Sequence, residues 1–468
     1  MLFRWVFMMS LFSFFNLEIV SSLPSAIRVW GQNGNFTSMN GGTSQSLISL
    51  EIKICPDNSG GLFISDGFNN RILYFASNDS NTAQSVLGQP NFTMSTNAEN
   101  NYDSGNYYQK NNLNGGIGIL GPKDLRSVEG IVFDPIIGGI YVSDSSNSRV
   151  LYFPNMTSNA TKVWGQLNQF NKSTMPVRRV PVLNNVTTVT ANTLSLPKGI
   201  AIDSFGGLYI ADNQVSAGGG RILYYKNGNT TAERVYGQNG DMNAIRAFYE
   251  NSRNGDYFND SAIVQNTLNK LWFSNQIFGI AVDKYDGLYV ADMSFNRVLY
   301  FEAGNSLIPK RVYGQKGNLS TIKANLGKSF PSADSLFNPY SVAVDSNLNV
   351  YIADKGNNRV LVYEGESTTA TGLYGQESFD FTQTPLRNKT TANTFFTISS
   401  IAIGNGLLYV GDETRVVAFQ LPPPPLLKSA SSSSSEKPDL PIGAIVGLSI
   451  GIVVILIMIW VFLYYKCR

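Results

Sequence analysis

The chain has 468 residues, of which 43% are hydrophobic, so it is long enough to bury a substantial core. Its formal net charge of +2 gives no electrostatic reason to expect nucleic acid as a partner. The chain has two cysteines and no histidine, which excludes zinc fingers, Ser-His-Asp and Cys-His triads and any metal site held by histidine.

Residues 1–22 have the composition of a secretory signal peptide. Arg4 precedes an apolar stretch from Trp5 to Phe15, and Val20-Ser21-Ser22 offers small residues for cleavage. An uncleaved membrane anchor is the alternative. Export would place the residues that follow outside the cell or in a lumen.

One phrase recurs six times between Gly61 and Gln420, and its clearest copy is VYIADKGNNRVLVY from Val350. Its β-branched and aromatic runs stop at Asp, Gly and Asn, which predicts short strands. Each copy has room for four strands, and apolar residues on both faces indicate small sheets packed between neighbours. The sequence therefore predicts an all-β, six-bladed β-propeller over residues 27–420.

A Gly-Gln pair ends the fourth strand of each repeat, but the pairs are offset from the phrases by one blade. The first pair, Gly31-Gln32, precedes the first phrase, and no pair follows Phe419. We therefore expect the segment from Ile27 to Phe36 to supply the outer strand of the last blade and to close the ring.

The tandem [LI]-Y-[VI]-[AS]-D-x4-R-[VI]-L-x-[YF] phrase resembles the NHL repeat, and the resemblance covers roughly Ile27 to Gln420. It implies the propeller fold but no single function, because propellers serve both as binding modules and as enzymes. Some NHL-like propellers are amidating lyases, but their chemistry resembles a histidine-held zinc site, which this chain cannot form. The resemblance also includes cytosolic NHL proteins that bind RNA, but the export signals of this chain disfavour that function.

Each phrase carries an Asp at the end of its second strand and an Arg near the start of its third. Because the pair recurs in every blade, we interpret it as structural, with the Asp capping the turn and the Arg tied to it. The six pairs are Asp66 with Arg71, Asp144 with Arg149, Asp212 with Arg221, Asp292 with Arg297, Asp354 with Arg359, and Asp412 with Arg415.

A second set of acidic residues follows the inner strand of five blades, close to the expected axis. If these carboxylates converged, they would be candidates for a calcium site. The alternative is that each one opens the next hairpin turn, and we expect no resident metal or other cofactor. The set is Asp57, Asp134, Asp203, Asp283 and Asp345, and the sixth blade has Gly404-Asn405 instead.

The connections from each Gly-Gln pair to the next inner strand are long, as in residues 91–124 and 241–269. They all emerge on one rim, because each runs from an outer strand to the next inner strand. Their content of Tyr, Asn and Ser is typical of adaptable recognition loops, and solvated surface insertions are the alternative.

Cys55 is the only thiol before the C-terminal apolar stretch, so the propeller can form no internal disulfide. It aligns with Ala201, Ala281 and Ala343 on an inner strand, which predicts a buried free thiol. An intermolecular disulfide is the alternative.

Asn-x-Ser/Thr sequons are frequent and precede the apolar stretch, as expected of a glycosylated ectodomain. They begin at Asn35, Asn78, Asn91, Asn155, Asn159, Asn171, Asn185, Asn229, Asn259, Asn318 and Asn388.

Residues 421–440 form a Pro- and Ser-rich stalk. Residues 441–465 predict a transmembrane helix, and the basic tail 466–468 predicts a cytosolic C-terminus, with a GPI signal as the alternative. Gly443, Gly447 and Gly451 would share one helix face, where two copies could pair as a homodimer.

The sequence therefore predicts a single-pass type I cell-surface glycoprotein that is anchored in the lipid bilayer. Three classes of function are compatible with this prediction. The first is a binding or adhesion module for an extracellular protein or glycan. The second is a passive coat glycoprotein. The third is a calcium-dependent lactonase or esterase.

Overall fold

The structure is a computed structural model that describes residues 24–38, 41–77, 80–94, 121–171, 190–213, 219–242, 273–304, 306–382 and 390–421. The predicted signal peptide, the stalk from residue 422, the predicted membrane span 441–465 with Gly443, Gly447 and Gly451, and the tail lie outside these residues. Within them, no helix combines the length and the apolar character needed to cross a membrane.

The described strands form six four-stranded antiparallel sheets, so the predicted six-bladed propeller is confirmed. Blade 1 contains β2 (Ile52–Pro56), β3 (Leu62–Asp66), β4 (Arg71–Phe75) and β5 (Ser85–Leu87). Blade 2 contains β6 (Val128–Phe133), β7 (Ile140–Asp144), β8 (Arg149–Phe153) and β9 (Lys162–Gly165). Blade 3 contains β10 (Leu196–Ile202), β11 (Leu208–Asn213), β12 (Arg221–Tyr225) and β13 (Arg234–Tyr236).

The second half of the ring repeats this arrangement. Blade 4 contains β14 (Ile277–Val282), β15 (Leu288–Asp292), β16 (Arg297–Phe301) and β17 (Arg311–Tyr313). Blade 5 contains β18 (Pro339–Val344), β19 (Val350–Asp354), β20 (Arg359–Tyr363) and β21 (Gly372–Tyr374). Blade 6 contains β22 (Ile398–Gly404), β23 (Leu407–Asp412) and β24 (Arg415–Gln420), and its outer strand is β1 (Arg28–Trp30).

The helical elements among the described residues are single 3-10 turns. Four of them join the second and third strands of a blade: Gly67–Asn69, Ser145–Asn147, Met293–Phe295 and Lys355–Asn357. The others, in the connections, are Gln166–Asn168, Gln238–Gly240 and Ala324–Gly327.

The N-terminal strand closes the ring, as predicted. β1 pairs antiparallel with β24, with Val29 opposite Val417 and Trp30 opposite Val416. Trp30 is fully buried, and its ring centroid lies 5.8 Å from that of Tyr409. Burying Val29 and Trp30 contributes on the order of 2 to 3 kcal/mol each, besides the backbone ladder.

The core lies between neighbouring blades, because both faces of each sheet are apolar. Tyr209 and Ala211 of blade 3, for example, belong to one buried cluster with Leu288 and Val290 of blade 4. Each blade therefore depends on the next for burial of its apolar surface, and a closed ring leaves no blade with an unpacked face.

The Gly-Gln pair joins the outer strand to the turn between the second and third strands. The glycine has positive φ in every copy, from 79° at Gly165 to 94° at Gly31. The glutamine amide then donates to a carbonyl of that turn, as Gln89 does to Asn69 over 2.9 Å and Gln315 does to Asn296 over 2.7 Å.

The alternating strand directions give the ring two different faces. The inner strands begin at one end of the ring, which we call the upper face. The upper face also carries the turns between second and third strands and the long connections. The lower face carries the hairpins between inner and second strands. An inner strand rises about 3.3 Å per residue, so the first and last residues of these strands lie about 13 to 20 Å apart along the strand.

Candidate functional site

Six residues, one from each blade, form a group of contacts around the upper end of the propeller axis, five through their side chains and Ser399 through its backbone carbonyl. In each blade the residue follows the one that pairs with the Asp of the second strand. We call this set the axial ring: Lys53, Glu129, Lys198, Phe278, Tyr340 and Ser399.

Backbone irregularities place five of these residues. In blades 2 to 6 the ladder between inner and second strands shifts register at this position, for example between Val128 and Gly130 and between Pro339 and Ser341. Such a bulge re-aims the side chain that it contains. The ladder of blade 1 is regular, so Lys53 reaches the ring from an undistorted strand.

Directly below the ring, the inner strands approach one another at glycines. A β-carbon on Gly130 would lie 2.3 Å from the carbonyl oxygen of Lys198, and one on Gly279 would lie 2.5 Å from Cα of Ser341. Neighbouring blades thus meet backbone to backbone just below the axial ring.

Glu129 lies between two lysines. Its Oε1 is 2.7 Å from Nζ of Lys198, and its Oε2 is 3.4 Å from Nζ of Lys53. Burial alone would raise the pKa of Glu129, but the charges and hydrogen bonds of Lys53 and Lys198 outweigh it and lower that pKa. Burial lowers the pKa of Lys53, and Glu129 opposes that change.

An aromatic pair completes the ring. The rings of Phe278 and Tyr340 stack with centroids 4.3 Å apart and an interplanar angle of 16°. Nζ of Lys198 lies 5.5 Å from the centroid of Phe278, and Nζ of Lys53 lies 4.6 Å from that of Tyr340. These contacts link blades 1 to 5 in a closed series, and Lys53 joins blade 6 to it by donating to the backbone carbonyl of Ser399 over 3.3 Å.

Two further charged residues border the ring at the upper face, and we call them the mouth residues, Glu51 and Lys355. Nζ of Lys355 lies 4.1 Å from the centroid of Tyr340. Burial and the charge of Lys53 lower the pKa of Lys355, whereas burial and Glu129 raise the pKa of Glu51. Both mouth residues are partly exposed, as are Lys198, Phe278 and Tyr340. The site can therefore present ammonium groups to a ligand that enters from the upper face.

The structure brings each Asp of the phrase together with its Arg. Nε of Arg71 lies 2.8 Å from Oδ2 of Asp66, and the two side chains are fully buried. The same contact joins Arg149 to Asp144, Arg221 to Asp212, Arg297 to Asp292, Arg359 to Asp354 and Arg415 to Asp412. Burial raises the pKa of these six carboxyls, and the paired guanidinium opposes the rise.

The buried arginines also hold the long connections of the upper face. Arg359 donates to the carbonyls of Ser332 and Ser335 before its blade, over 2.9 and 3.1 Å, and to that of Phe379 after it, over 2.5 Å. Oδ1 of Asp354 meanwhile accepts from the backbone N–H of Phe337 over 2.7 Å. Each pair therefore anchors the two ends of the connections that surround the axial ring.

The acidic residues at the ends of the inner strands lie in hairpins of the lower face. Oδ1 of Asp203 accepts from the N–H groups of Phe205 and Gly207, over 3.0 and 2.6 Å. Equivalent turn contacts involve Asp57, Asp134, Asp283 and Asp345. In the described part of the chain, no three His, Cys, Asp or Glu side chains are grouped as metal ligands.

Cys55 is a buried free cysteine on β2. Its Sγ accepts from the backbone N–H of Phe133 over 3.0 Å, and burial raises its pKa to about 12.

Sequon asparagines lie at the surface wherever the structure describes them. The exposed ones are Asn35, Asn91, Asn155, Asn159, Asn171, Asn229 and Asn318, whereas Asn78, Asn185, Asn259 and Asn388 lie outside the described residues.

The sequence analysis did not predict the axial ring, although an alignment of the repeats contains a signal for it. Aligning the repeats on the Asp of the second strand brings Lys53, Glu129 and Lys198 nearly into one column. The bulges displace that column by a residue between blades, and its members share no residue type.

Comparisons with known proteins identify the repeat. Residues 338–363 match the NHL repeat. No curated protein matches the sequence. Among solved structures, virginiamycin B lyase from Staphylococcus aureus is similar over 79% of this chain and 80% of its own, with 11% identity and a TM-score of 0.36. A luciferin-regenerating enzyme is similar over 82% of this chain and 94% of its own, with 10% identity and a TM-score of 0.45.

A gluconolactonase from Xanthomonas campestris is similar over 85% of this chain and 95% of its own, with 9% identity and a TM-score of 0.43. At these values the enzymes' activities are not transferred to this chain. The repeat match and the six four-stranded blades together support an NHL-repeat β-propeller.

Proposed function

We propose that the propeller is the extracellular binding module of a single-pass type I surface glycoprotein, and that its ligand docks on the upper face around the axial ring. The observation that carries the proposal is the position of the ring. Its partly exposed charged and aromatic side chains lie at the same end of the axis as the long connections that the buried arginines anchor. A rigid ring that presents charged groups amid variable connections suits recognition.

The placement outside the cell rests on the sequence, from the signal peptide 1–22, the apolar segment 441–465 and the sequons. The exposed asparagines of the described sequons suit this placement. In this proposal the partner is an extracellular protein or glycan, the apolar segment lies in the bilayer and can pair two copies, and binding needs no cofactor. A passive coat and a calcium-dependent hydrolase are the alternatives that the experiment must separate.

The first test asks where the propeller lies. Cells that express the full-length chain are treated with an amine reagent that cannot cross membranes, and exposed lysines such as Lys226 and Lys284 report the result. Labelling on intact cells, together with a mobility shift after removal of N-glycans, is expected. Labelling that requires permeabilised cells would contradict the surface location.

The second test asks whether the chain binds. Immobilised cell-surface extract should capture expressing cells saturably, and chelation of calcium should not release them. The double variant Lys355→Met, Tyr340→Ala should reduce capture. A passive coat predicts the same capture as cells without the chain, and a hydrolase predicts calcium-dependent turnover of lactones or esters by the purified full-length chain.

A further inference from the structure

The charges around the axial mouth do not balance. Among the described residues, this region contains the ammonium groups of Lys53, Lys198 and Lys355 but only the carboxylates of Glu51 and Glu129. Glu129 is already shared by Lys53 and Lys198, at 3.4 and 2.7 Å. One positive charge is therefore in excess.

The excess lies nearest to Lys355. Within the described ranges, no carboxylate oxygen comes within 4.0 Å of its Nζ, and the contact that the structure gives this group is the ring of Tyr340 at 4.1 Å. Nζ of Lys53 lies over the same ring, at 4.6 Å from the centroid. Two ammonium groups thus share one aromatic ring and repel each other, and the charges of Glu129 and Glu51 act on Lys355 without a direct ion pair.

The shape of the site restricts what can neutralise this charge. Phe278 stacks on Tyr340 and the two lysines also lie over Tyr340, so these three groups would compete with a sugar for stacking on this ring. Below the ring, neighbouring inner strands meet backbone to backbone at Gly130 and Gly279. A slim acyclic anion fits these restrictions better than a ring-shaped one.

We propose that the axial mouth binds one carboxylate of an acidic peptide side chain, which bridges Nζ of Lys53 and Nζ of Lys355. The inference rests on the proposed binding function and names the chemistry of its ligand. Both contacts would be charge-assisted hydrogen bonds. Glu51, at the same mouth, opposes the incoming charge and tunes the affinity.

The test uses the purified full-length chain and two probes, acetyl-Gly-Glu-Gly amide and its Gln counterpart, with binding followed by saturation-transfer NMR. The Glu peptide should bind at least about tenfold more tightly than the Gln peptide, because an ion-paired hydrogen bond is lost. Lys355→Met should abolish this preference, and Glu51→Gln should strengthen it.

Lys284→Met is the matched control, because Nζ of Lys284 also lies over a tyrosine, 5.1 Å from the centroid of Tyr285, but on the lower face. It should leave the preference unchanged. Equal binding of the two peptides, or a preference that survives Lys355→Met, would overturn the inference. Stronger binding of free glucuronic acid than of the Glu peptide would also overturn it, in favour of an acidic sugar.

The two proposals can fail separately. If Lys355→Met cells are still captured by surface extract while the Glu peptide shows no preference, the carboxylate inference fails and the binding function stands. If no cells are captured at all, the binding function itself fails.

Discussion

Arg415 donates a hydrogen bond to the carbonyl oxygen of Phe36, although 379 positions separate the two residues. The same guanidinium donates to the carbonyls of Thr391 and Thr394, over 3.1 and 2.8 Å. The last of the six repeat arginines therefore contacts the N-terminal segment in the way that Arg359 contacts the connection after its own blade. Ring closure thus uses the same contacts that join the other blades, in addition to the ladder between β1 and β24.

The first prediction concerns this closure. Trp30→Ala should lower the free energy of unfolding by about 3 to 5 kcal/mol, because a fully buried side chain is removed from the blade that closes the ring. Urea denaturation of the full-length chain measures the change. Ile27→Ala is the control, since Ile27 is 52% exposed, and it should stay within about 0.5 kcal/mol. Equal costs for the two variants would mean that closure does not limit stability.

The second prediction concerns the buried ion pairs. Arg221→Met should cost about 3 to 5 kcal/mol, because it leaves Asp212 charged in the core and the carbonyls of Thr193 and Met242 unpaired. Lys310→Met removes an ion pair of similar length, 2.7 Å, but an exposed one. That variant should leave the free energy of unfolding almost unchanged, because water and salt screen an exposed pair. Similar losses in both would contradict a structural role for the buried pair.

The repeats made the fold predictable from the sequence, whereas the site was only partly so. In each repeat the second strand ends at an Asp and the third begins at an Arg, such as Asp354 and Arg359. These residue types predict a hairpin with an ion pair, so the number of blades and the pairing of their strands follow from the sequence. Arg359 also binds backbone carbonyls, which every residue type has, so these contacts cannot be predicted from the sequence. The axial ring could not be predicted from the sequence, because its members are chemically unlike one another and because β-bulges bring them together.

The third prediction separates two reasons for glycine in the Gly-Gln pair. Gly314 has φ of 88°, and a β-carbon there would lie 2.5 Å from Cδ1 of Leu336. Gly317 has φ of 71° but no atom within 4 Å of such a carbon. Gly317→Ala should therefore cost about 1 kcal/mol from backbone strain alone, and Gly314→Ala about 2 to 4 kcal/mol from strain plus overpacking. Thermal or urea unfolding gives both values, and equal costs would remove the packing argument.

The fourth prediction concerns Cys55. The second cysteine of the chain, Cys467, is removed by Cys467→Ser so that only Cys55 can react. Because burial raises the pKa of the Cys55 thiol to about 12, iodoacetamide at pH 8 should leave this native variant unmodified. The same protein in concentrated urea should react within minutes, since an exposed thiol has a pKa of about 8.5. Mass spectrometry counts the adducts. A disulfide-linked dimer that disappears on Cys55→Ser would instead support the intermolecular bridge.

The fifth prediction concerns the axial ring and pH. Lys53 and Lys198 hold the pKa of Glu129 below its ordinary value of 4.5, although burial acts in the opposite direction. The unfolded chain therefore binds more protons at this residue than the native chain does, between the lowered native value and 4.5. Consequently Glu129 stabilises the fold fully above pH 4.5, and its contribution is lost as the pH falls through the native pKa.

Glu129→Gln should accordingly cost about 3 kcal/mol at pH 7, because two lysines lose their shared partner. The difference in unfolding free energy between wild type and variant should shrink steadily below about pH 4.5. Glu51 titrates in both proteins with a raised pKa, so its direct effect largely cancels in this difference. Glu302→Gln serves as the control, since Glu302 pairs with Lys310 in solvent and should give a small difference at every pH. A wild-type advantage that persists undiminished at pH 3 would mean that Glu129 stabilises the ring by packing and not by its charge.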